Sequence, residues 1–374
     1  MNSLDHLKTA LLISAFALLA ACGQEPAAEP AAEPATKTEA AAEAKPEAKP
    51  EAKPEAAAEA KTEAEAKPLV VYSGRGATLV DPLFEIFTKE SGVQVDVRYE
   101  KSTQTLANRI ATEGAQTKAD VFFAQDSGWL GALAKAGHLA ELPQAILDKV
   151  PAHHRDSGGK WVGTSGRARV LVYSPDRVKA EDLPKSLADL PKAAKKGRIG
   201  WAPGNGSLQA HVSALRHVWG EEKTRAWLSE MKAAEPKVYP KNSPQVKAVS
   251  NGEIDMGWVN HYYLHKLRAA NPELKAANYS FSTAGDAGNL MMLSGAALVA
   301  HSKNKEAAQK LVDFLLSKTA QAYFANTTYE YPTVAGVALH KDVPPIDDKM
   351  VRADQAHLTD LSGTLKALRE LGLQ

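Results

Sequence analysis

The chain has 374 residues, with 45 lysines and arginines, 44 aspartates and glutamates, and a formal net charge of +1. The two signs are interspersed, which excludes the extended basic surface of a nucleic-acid-binding protein. Cys22 is the single cysteine, so an internal disulfide and a thiolate-rich metal site are both excluded.

The first 22 residues have the pattern of a bacterial lipoprotein signal peptide. Lys8 lies in a short polar start, and the apolar run at 10–21 is too short and too early for a membrane-spanning helix. The run ends in Leu-Ala-Ala directly before Cys22, which predicts cleavage there and acylation of the cysteine. The protein is therefore expected in the periplasm or at the cell surface, lipid-anchored to a bacterial membrane. An ordinary signal peptide with an incidental cysteine is the alternative.

Residues 23–67 are predicted to form a disordered linker. They are mostly Ala, Glu, Lys and Pro, without aromatic or large aliphatic side chains, so no apolar burial offsets the entropy of ordering. Recurring prolines interrupt any helix that the Glu-Ala-Lys stretches would start. A coil of this length spans roughly 40 Å or more. The folded domain is therefore expected at 68–374, held above the membrane by this linker.

Strands and helices alternate in the predicted folded domain. Hydrophobic spacing predicts strands at 69–72, 93–99, 120–124, 169–173, 198–201 and 255–259, and helices at 81–89, 104–113, 129–136 and 207–219. This alternation predicts an α/β protein with two successive lobes and a cleft between them. Ligands of such sheets bind at the carboxyl ends of the strands. The loops after Tyr72, Ala124, Ala202 and Val259 therefore form the candidate site.

Tyr262 and Tyr263 follow the strand that ends at Val259 and are candidate metal ligands. Neighbouring residues on a strand point to opposite faces, so the two phenols converge only if the chain turns or starts a helix there. A free phenol titrates at about pH 10, and only a highly charged ion such as Fe³⁺ would displace both protons at neutral pH. The alternative places one ring in the core and the other on the surface.

Three further segments carry candidate anion-binding groups. The glycine-rich turn at 203–207 leads into a helix whose first amides would hold an anion, although an ordinary N-cap at Ser207 is the alternative. Arg75 lies between two glycines and would reach into a cleft, and Arg167 and Arg169 share one face of a strand. Solvated or salt-bridged side chains are the alternative for the arginine pair. Two phenolates on Fe³⁺ leave one positive charge, which a small anion would neutralise.

Seven stretches occur in the order of one known family: VYSGR at 71–75, ADVF at 119–122, SGRARV at 165–170, KNS at 241–243, NGEID at 251–255, NHYY at 260–263 and EYP at 330–332. Together they resemble the bacterial ferric-ion-binding proteins. The resemblance implies a type II periplasmic-binding-protein fold, with two α/β lobes joined by crossing hinge strands and the ligand cleft between them. The first lobe is expected at about 69–168 plus 281–320, and the second at about 169–280 plus 321–374.

The same resemblance implies a transport function and no enzymatic one. The protein is expected to carry Fe³⁺ as cargo to an inner-membrane ABC importer, its permease and its ATPase, as a monomer that touches the membrane only through its lipid anchor. Tyr262 and Tyr263 are the implied iron ligands, with carbonate or phosphate as the synergistic anion. The implied anion-binding residues are Arg75, Arg167, Asn205, Gly206, Ser207, Asn242 and Asn260.

The chain departs from the family's pattern at the ligand positions of the first lobe. Gly76 stands where some members have a histidine, Gln125 stands where others have a glutamate, and residues 205–208 lack a third tyrosine. Only two protein ligands are therefore supported, and Gln125 and Asp126 are possible cleft contacts. The alternative is the same fold with another cargo, either an oxyanion held by arginines or an organic cation stacked on the tyrosines.

Overall fold

The computed structural model describes residues 67–100, 102–346, 351–352, 358 and 360–374. The predicted signal peptide, the lipidation site at Cys22 and all but the last residue of the predicted linker lie outside the described residues. No described helix combines the length and the apolar character that crossing a membrane requires.

The first lobe contains a sheet in which β1 pairs in parallel with β2 and with β3. Its elements are β1 (Leu69–Ser73), α1 (Ala77–Ser91), β2 (Val95–Tyr99), α2 (Thr103–Glu113), β3 (Val121–Ala124), α3 (Ser127–Lys135) and α4 (Gln144–Leu147). Apolar clusters around Val71 and around Phe122 cover the two faces of this sheet. Gly92 ends α1 in the left-handed conformation at φ 72°.

The second lobe repeats this arrangement around β7, which pairs antiparallel with the long strand β4 and in parallel with β5. Its elements are β4 (Val162–Tyr173), α5 (Leu190–Ala193), β5 (Ile199–Trp201), α6 (Gly206–Val218), α7 (Glu221–Ala233), β6 (Lys237–Val238), α8 (Asn242–Ser250), β7 (Met256–Asn260), α9 (Tyr262–Ala270) and β8 (Ala277–Tyr279). Clusters around Trp258 and Val259 cover its two faces.

The chain then returns to the first lobe and crosses once more. The remaining elements are β9 (Leu290–Leu298), α10 (Lys305–Leu315), α11 (Lys318–Asn326), β10 (Tyr331–Pro332), β11 (Val351–Arg352) and α12 (Leu361–Glu370). The first part of β4 pairs with β9 and its second part pairs with β7, giving the strand order β2-β1-β3-β9-β4-β7-β5-β6. β4 therefore belongs to both sheets, as the expected crossing strands require.

Strand β4 begins at Val162, although the sequence pattern predicted its start at residue 169. Two glycines interrupt the alternation of apolar residues in its first part, so the sequence pattern did not predict a strand there. A Cβ at Gly163 would lie 2.8 Å from Leu293 Cδ1, and a Cβ at Gly166 would lie 2.9 Å from Met291 Sδ. The close packing of the crossing strands therefore requires small residues where a strand pattern favours large ones.

The boundaries between the lobes also differ from the expected ones. Phe281 and Ala287 pack in the core of the second lobe with Trp258, so the return to the first lobe lies near Leu290 and not at residue 281. Phe324 packs in the core of the first lobe, so the final crossing lies after α11 and not at residue 320. In both segments, aromatic packing decides which lobe the chain joins.

Candidate ligand-binding cleft

A cavity of about 960 Å³ lies between the two lobes. Helices of both lobes begin at its walls, because the parallel strands of both sheets end there. The residues that mark these helix starts are Thr78, Thr103 and Asp126 in the first lobe and Ser207, Ser243 and Tyr262 in the second. Unpaired amides at helix N-termini carry partial positive charge. The cavity is therefore suited to anionic groups.

Tyr262 and Tyr263 line this cavity as the first two residues of α9. Their rings are stacked, with centroids 4.2 Å apart and planes at 29°, so the helix start brings the phenols together as the sequence required. Tyr262 is fully buried, and its hydroxyl has no hydrogen-bond partner among the described residues. Burial raises the pKa of Tyr262 well above its usual value, the charges of Tyr263 and Glu330 raise it further, and those of Arg167 and Arg75 lower it.

Arg167 lies on the shared strand β4 and is fully buried. Its Nη2 donates to the main-chain oxygen of Gln125, whereas Nε and Nη1 have no partner within the described part of the chain. Its positive charge lowers the pKa values of both Tyr262 and Asp126. Buried donors without acceptors are unfavourable. Arg167 is therefore positioned to hold an anion beside the phenols.

Arg75 does not occupy the position that the sequence suggested. It is buried and forms a two-pronged ion pair with Glu330, with 2.8 Å between Nη2 and Oε2 and 3.0 Å between Nη1 and Oε1. Nη1 also donates to the hydroxyl groups of Ser165 and Ser294 on the crossing strands. Both terminal nitrogens are thus held by the protein, and Arg75 acts on Tyr262 through its charge.

Glu330 is a residue whose role the sequence did not indicate. Burial by itself would raise the pKa of Glu330, but the charge and the hydrogen bonds of Arg75 lower it below its usual value. Thr328 also donates to its Oε2, at 3.0 Å. One feature of the sequence could have indicated this pair: Glu330 lies between Tyr329 and Tyr331. A carboxylate among aromatic residues is rarely buried unless it is paired with a positive charge.

The expected anion-binding residues of the second lobe form one hydrogen-bonded group. Asn205 caps α6 by accepting from the Ser207 amide at 3.1 Å, and Asn242 donates to the same oxygen at 3.3 Å. Asn260 donates to the Ser207 hydroxyl at 3.3 Å and accepts from Arg169 at 3.0 Å. The structure therefore brings together three segments that lie far apart in the sequence.

Gly206 and Arg169 complete this corner of the cleft. Gly206 lines the cavity, and apart from its chain neighbours and its own helix no described atom lies within 4 Å of the place where a Cβ would stand. Arg169 is buried with its guanidinium 4.8 Å from the ring centre of Trp258, and it donates to the oxygens of Trp258 and Asn260. Burial lowers the pKa of Arg169 to about 9, although Tyr263 raises it. The acceptors of Arg169 are neutral oxygens, so its positive charge is not neutralised by these hydrogen bonds.

Gln125 and Asp126 line the cavity from the first lobe. Asp126 is the N-cap residue of α3 and is 3% exposed, and its Oδ1 has no partner among the described atoms. Burial raises the pKa of Asp126 to about 6, while the charge of Arg167 and the amides of Trp129 and Gly128 lower it. Both residues are therefore in the place that the sequence suggested for cleft contacts.

Histidine, cysteine and carboxylate side chains do not provide a separate metal centre. Over the described residues, no group of three or more of them lies close enough together to hold a metal ion. Zinc and calcium sites are built mainly from such groups. The tyrosine pair and its unpartnered neighbours are therefore the candidate metal site of this chain.

Comparisons with known proteins give the family. Residues 71–322 match the family described as bacterial extracellular solute-binding protein. This chain belongs to that family. It is 32% identical over 309 residues to the Fe(3+)-binding periplasmic protein of Serratia marcescens, covering 82% of this chain and 90% of the relative. It is 34% identical over 306 residues to the major ferric iron-binding protein of Neisseria meningitidis, covering 81% and 91%.

A solved structure gives the same result. Iron-bound HitA from Pseudomonas aeruginosa superposes with a TM-score of 0.78 at 34% identity, covering 82% of this chain and 99% of HitA. The type II fold and the resemblance to ferric-ion-binding proteins, both expected from the sequence, are confirmed. The relatives named above are binding proteins, which agrees with a transport role.

Proposed function

We propose that this solute-binding protein takes up ferric iron in the cleft through the phenolate oxygens of Tyr262 and Tyr263, together with a small anion, and delivers it to an ABC importer. The tyrosine pair at the start of α9 carries the proposal. Its rings are stacked at 4.2 Å, and the Tyr262 hydroxyl is buried and unpartnered among the described atoms. The printed names of the relatives and the iron-bound state of HitA support iron as the cargo.

The electrostatics of the pair favour a highly charged cation. Burial keeps the Tyr262 phenol protonated in the empty protein, so a ligand must supply enough charge to displace the proton. Fe³⁺ does so, as a hard ion that prefers oxygen donors. The N-terminus of α9 and the nearby charges of Arg75 and Arg167 stabilise the phenolates that result.

The anion is proposed to lie between Arg167 and the start of α6. Nε and Nη1 of Arg167 offer hydrogen bonds that no described residue accepts, and Gly206, the first residue of α6, lines the cavity beside the Asn205 cap. Asn242 and Asn260 fix the Asn205 and Ser207 side chains at the same corner. Carbonate and phosphate both match these donors, because their oxygens accept several hydrogen bonds at once.

The proposed location and partners follow from the family and from the N-terminal sequence. The Serratia relative is named as periplasmic. Acylation of Cys22 and the linker at 23–67 would hold the binding domain beside a membrane, within reach of the permease of an ABC importer. Treatment with a lipoprotein signal-peptidase inhibitor tests this part, since it should leave the uncleaved precursor to accumulate.

A visible absorption spectrum tests the iron proposal. The empty protein loaded with ferric citrate should develop a charge-transfer band from phenolate to iron, stronger with bicarbonate present. A colourless protein would contradict the proposal. The unpartnered nitrogens of Arg167 favour an oxyanion as the alternative cargo, in which case calorimetry should detect tight phosphate binding to the iron-free protein.

A further inference from the structure

The first-lobe side of the cleft presents a buried carboxylate. Asp126 lines the same cavity as Tyr262 and Tyr263 and is 3% exposed. Its Oδ1 has no hydrogen-bond partner among the atoms that the structure describes. A carboxylate oxygen that is excluded from water and unpartnered is unfavourable, and a bound cation relieves that state.

The guanidinium of Arg167 lies near this carboxylate but donates no hydrogen bond to its Oδ1. Its charge acts on both Asp126 and Tyr262, while its Nη2 is held by the main-chain oxygen of Gln125. Within the described residues, Arg167 Nε and Nη1 and Asp126 Oδ1 all lack partners. The Asp126 carboxylate and the Arg167 guanidinium therefore each retain atoms that a bound ligand could contact. The carboxylate would bind a metal ion, and the guanidinium would bind an anion.

Two other first-lobe groups, Arg75 and Gln125, are less suited to hold the ion. Arg75 is committed to Glu330 and the crossing strands, so it does not bridge the lobes through an anion in this structure. The Gln125 main-chain oxygen accepts from Arg167 and from Ser294. The Gln125 side chain offers a neutral amide oxygen, which is a weaker partner for a trivalent ion than a carboxylate.

We infer that Asp126 is the first-lobe ligand of the ferric ion, binding through Oδ1 when the lobes close over the two phenolates. The inference rests on the proposed function. Two phenolates and one carboxylate balance the three charges of Fe³⁺, so the bridge between the lobes does not depend on the anion. The anion then neutralises Arg167. Closure around the ion follows because the closed form alone places all three ligands on it.

Replacing Asp126 by asparagine or by serine tests the assignment. Both residues cap helices as well as aspartate does, so α3 should keep its start while the carboxylate is lost. Asp126→Asn and Asp126→Ser should still develop the visible phenolate band, because both tyrosines remain. Their iron affinity in competition with citrate should fall at least about tenfold, since ligands matter at least as much as outer-shell partners. Small-angle scattering should show less compaction on iron loading than in the wild type.

Two controls separate this role from a general loss of charge. Asp176→Asn removes an exposed carboxylate outside the cleft and should bind iron as the wild type does. Gln125→Ala, at the neighbouring cleft contact, should lose less affinity than either Asp126 variant. In the wild type, compaction on iron loading should persist when bicarbonate and phosphate are removed.

The outcomes distinguish the inference from the proposed function. A wild type that stays colourless with ferric iron overturns both. A coloured wild type, with Asp126 variants that retain its affinity and compaction, overturns the role of Asp126 alone. A large loss in Gln125→Ala, with none in the Asp126 variants, assigns the contact to Gln125 instead.

Discussion

The two walls of the cleft are built in different ways. The second wall, formed by the cavity residues of the second lobe, has the paired phenols and the cap of α6 at Asn205 and Ser207, and the buried Asn260 and Arg169 are hydrogen-bonded behind that cap. The first wall, formed by the cavity residues of the first lobe, contributes Asp126 as a buried carboxylate. Under the proposed function, the second wall supplies the ligands that first hold the ion, and the first wall adds its ligand when the lobes close. Binding and closure are therefore assigned to different residues.

The largest expected effect is on the second wall. Tyr262→Phe and Tyr263→Phe should each abolish or strongly shift the visible band and lower the iron affinity by about 100-fold or more, because a ligand matters more than the outer-shell groups that contribute 10–100-fold. Spectrophotometric titration against citrate measures this. Tyr279→Phe, which alters a second-lobe phenol bonded to the Pro184 oxygen, should remain coloured. If both cleft variants keep the wild-type visible band, the assignment of the iron ligands to the second wall is wrong.

The ion pair of Arg75 and Glu330 supports both walls, because it joins the first lobe to the crossing strands and to the final crossing that follows α11. Arg75→Met leaves the Glu330 charge buried and should lower the free energy of unfolding by about 3–5 kcal/mol. The exposed pair of Lys196 and Glu235, at 2.9 Å, is the control, and Lys196→Met should cost less than about 1 kcal/mol. Denaturant unfolding of the iron-free protein measures both. Equal losses in the free energy of unfolding would show that the buried ion pair contributes no more to stability than the exposed one.

Acid should weaken the second lobe through His211 on α6. This ring is buried, with Nε2 2.6 Å from the Ala287 oxygen, and burial lowers its pKa to about 3. Below a pH of about 6.5, His211 is protonated in the unfolded chain but stays neutral in the folded protein. The free energy of unfolding therefore falls as the pH falls towards 3, by up to about 4 kcal/mol. His211→Gln should flatten this dependence between pH 6.5 and 4. An unchanged slope would place the acid sensitivity elsewhere.

Asp126 should respond to pH in the opposite direction. Because burial raises its pKa to about 6, the folded protein holds a proton that the unfolded chain has released, and the iron-free protein loses stability as the pH rises from about 4 to 6. Asp126→Asn should therefore stabilise the iron-free protein at pH 7, by up to about 3 kcal/mol. The gain should vanish below about pH 4. A destabilised variant at pH 7 would contradict the unpartnered state of this carboxylate.

The smallest expected effect concerns Arg167, which lies between the walls. Iron should be released as the pH falls from about 7 to 5, because protons compete for the phenolate and anion oxygens. Arg167→Ala should move the release to higher pH by about one unit, since a positive charge beside the phenols favours their ionised form. Arg155→Ala, at a half-buried arginine that pairs with Asp148 away from the cleft residues, is the control. An unchanged release curve would restrict Arg167 to a structural role.

The tyrosine pair of the second wall and the cleft position of Asp126 in the first wall were predictable from the sequence, whereas the buried ion pair of Arg75 was not. Tyr262 and Tyr263 are adjacent and follow a strand, so a local pattern was enough to bring the phenols together. The partner of Arg75 lies 255 residues away, and no local pattern connects Arg75 with Glu330. The early start of β4 was hidden because Gly163 and Gly166 are required by close packing against β9. Sequence patterns report local geometry, whereas these features depend on contacts across the fold.

Resonance Raman spectroscopy of the iron-loaded protein, excited in the visible band, tests the central claim most directly. Ring vibrations of iron-bound phenolate should dominate the wild-type spectrum, and each single variant, Tyr262→Phe or Tyr263→Phe, should lose its share of them. Iron that is bound without phenolate vibrations would contradict the assignment of the tyrosine pair as the ligands of the cargo.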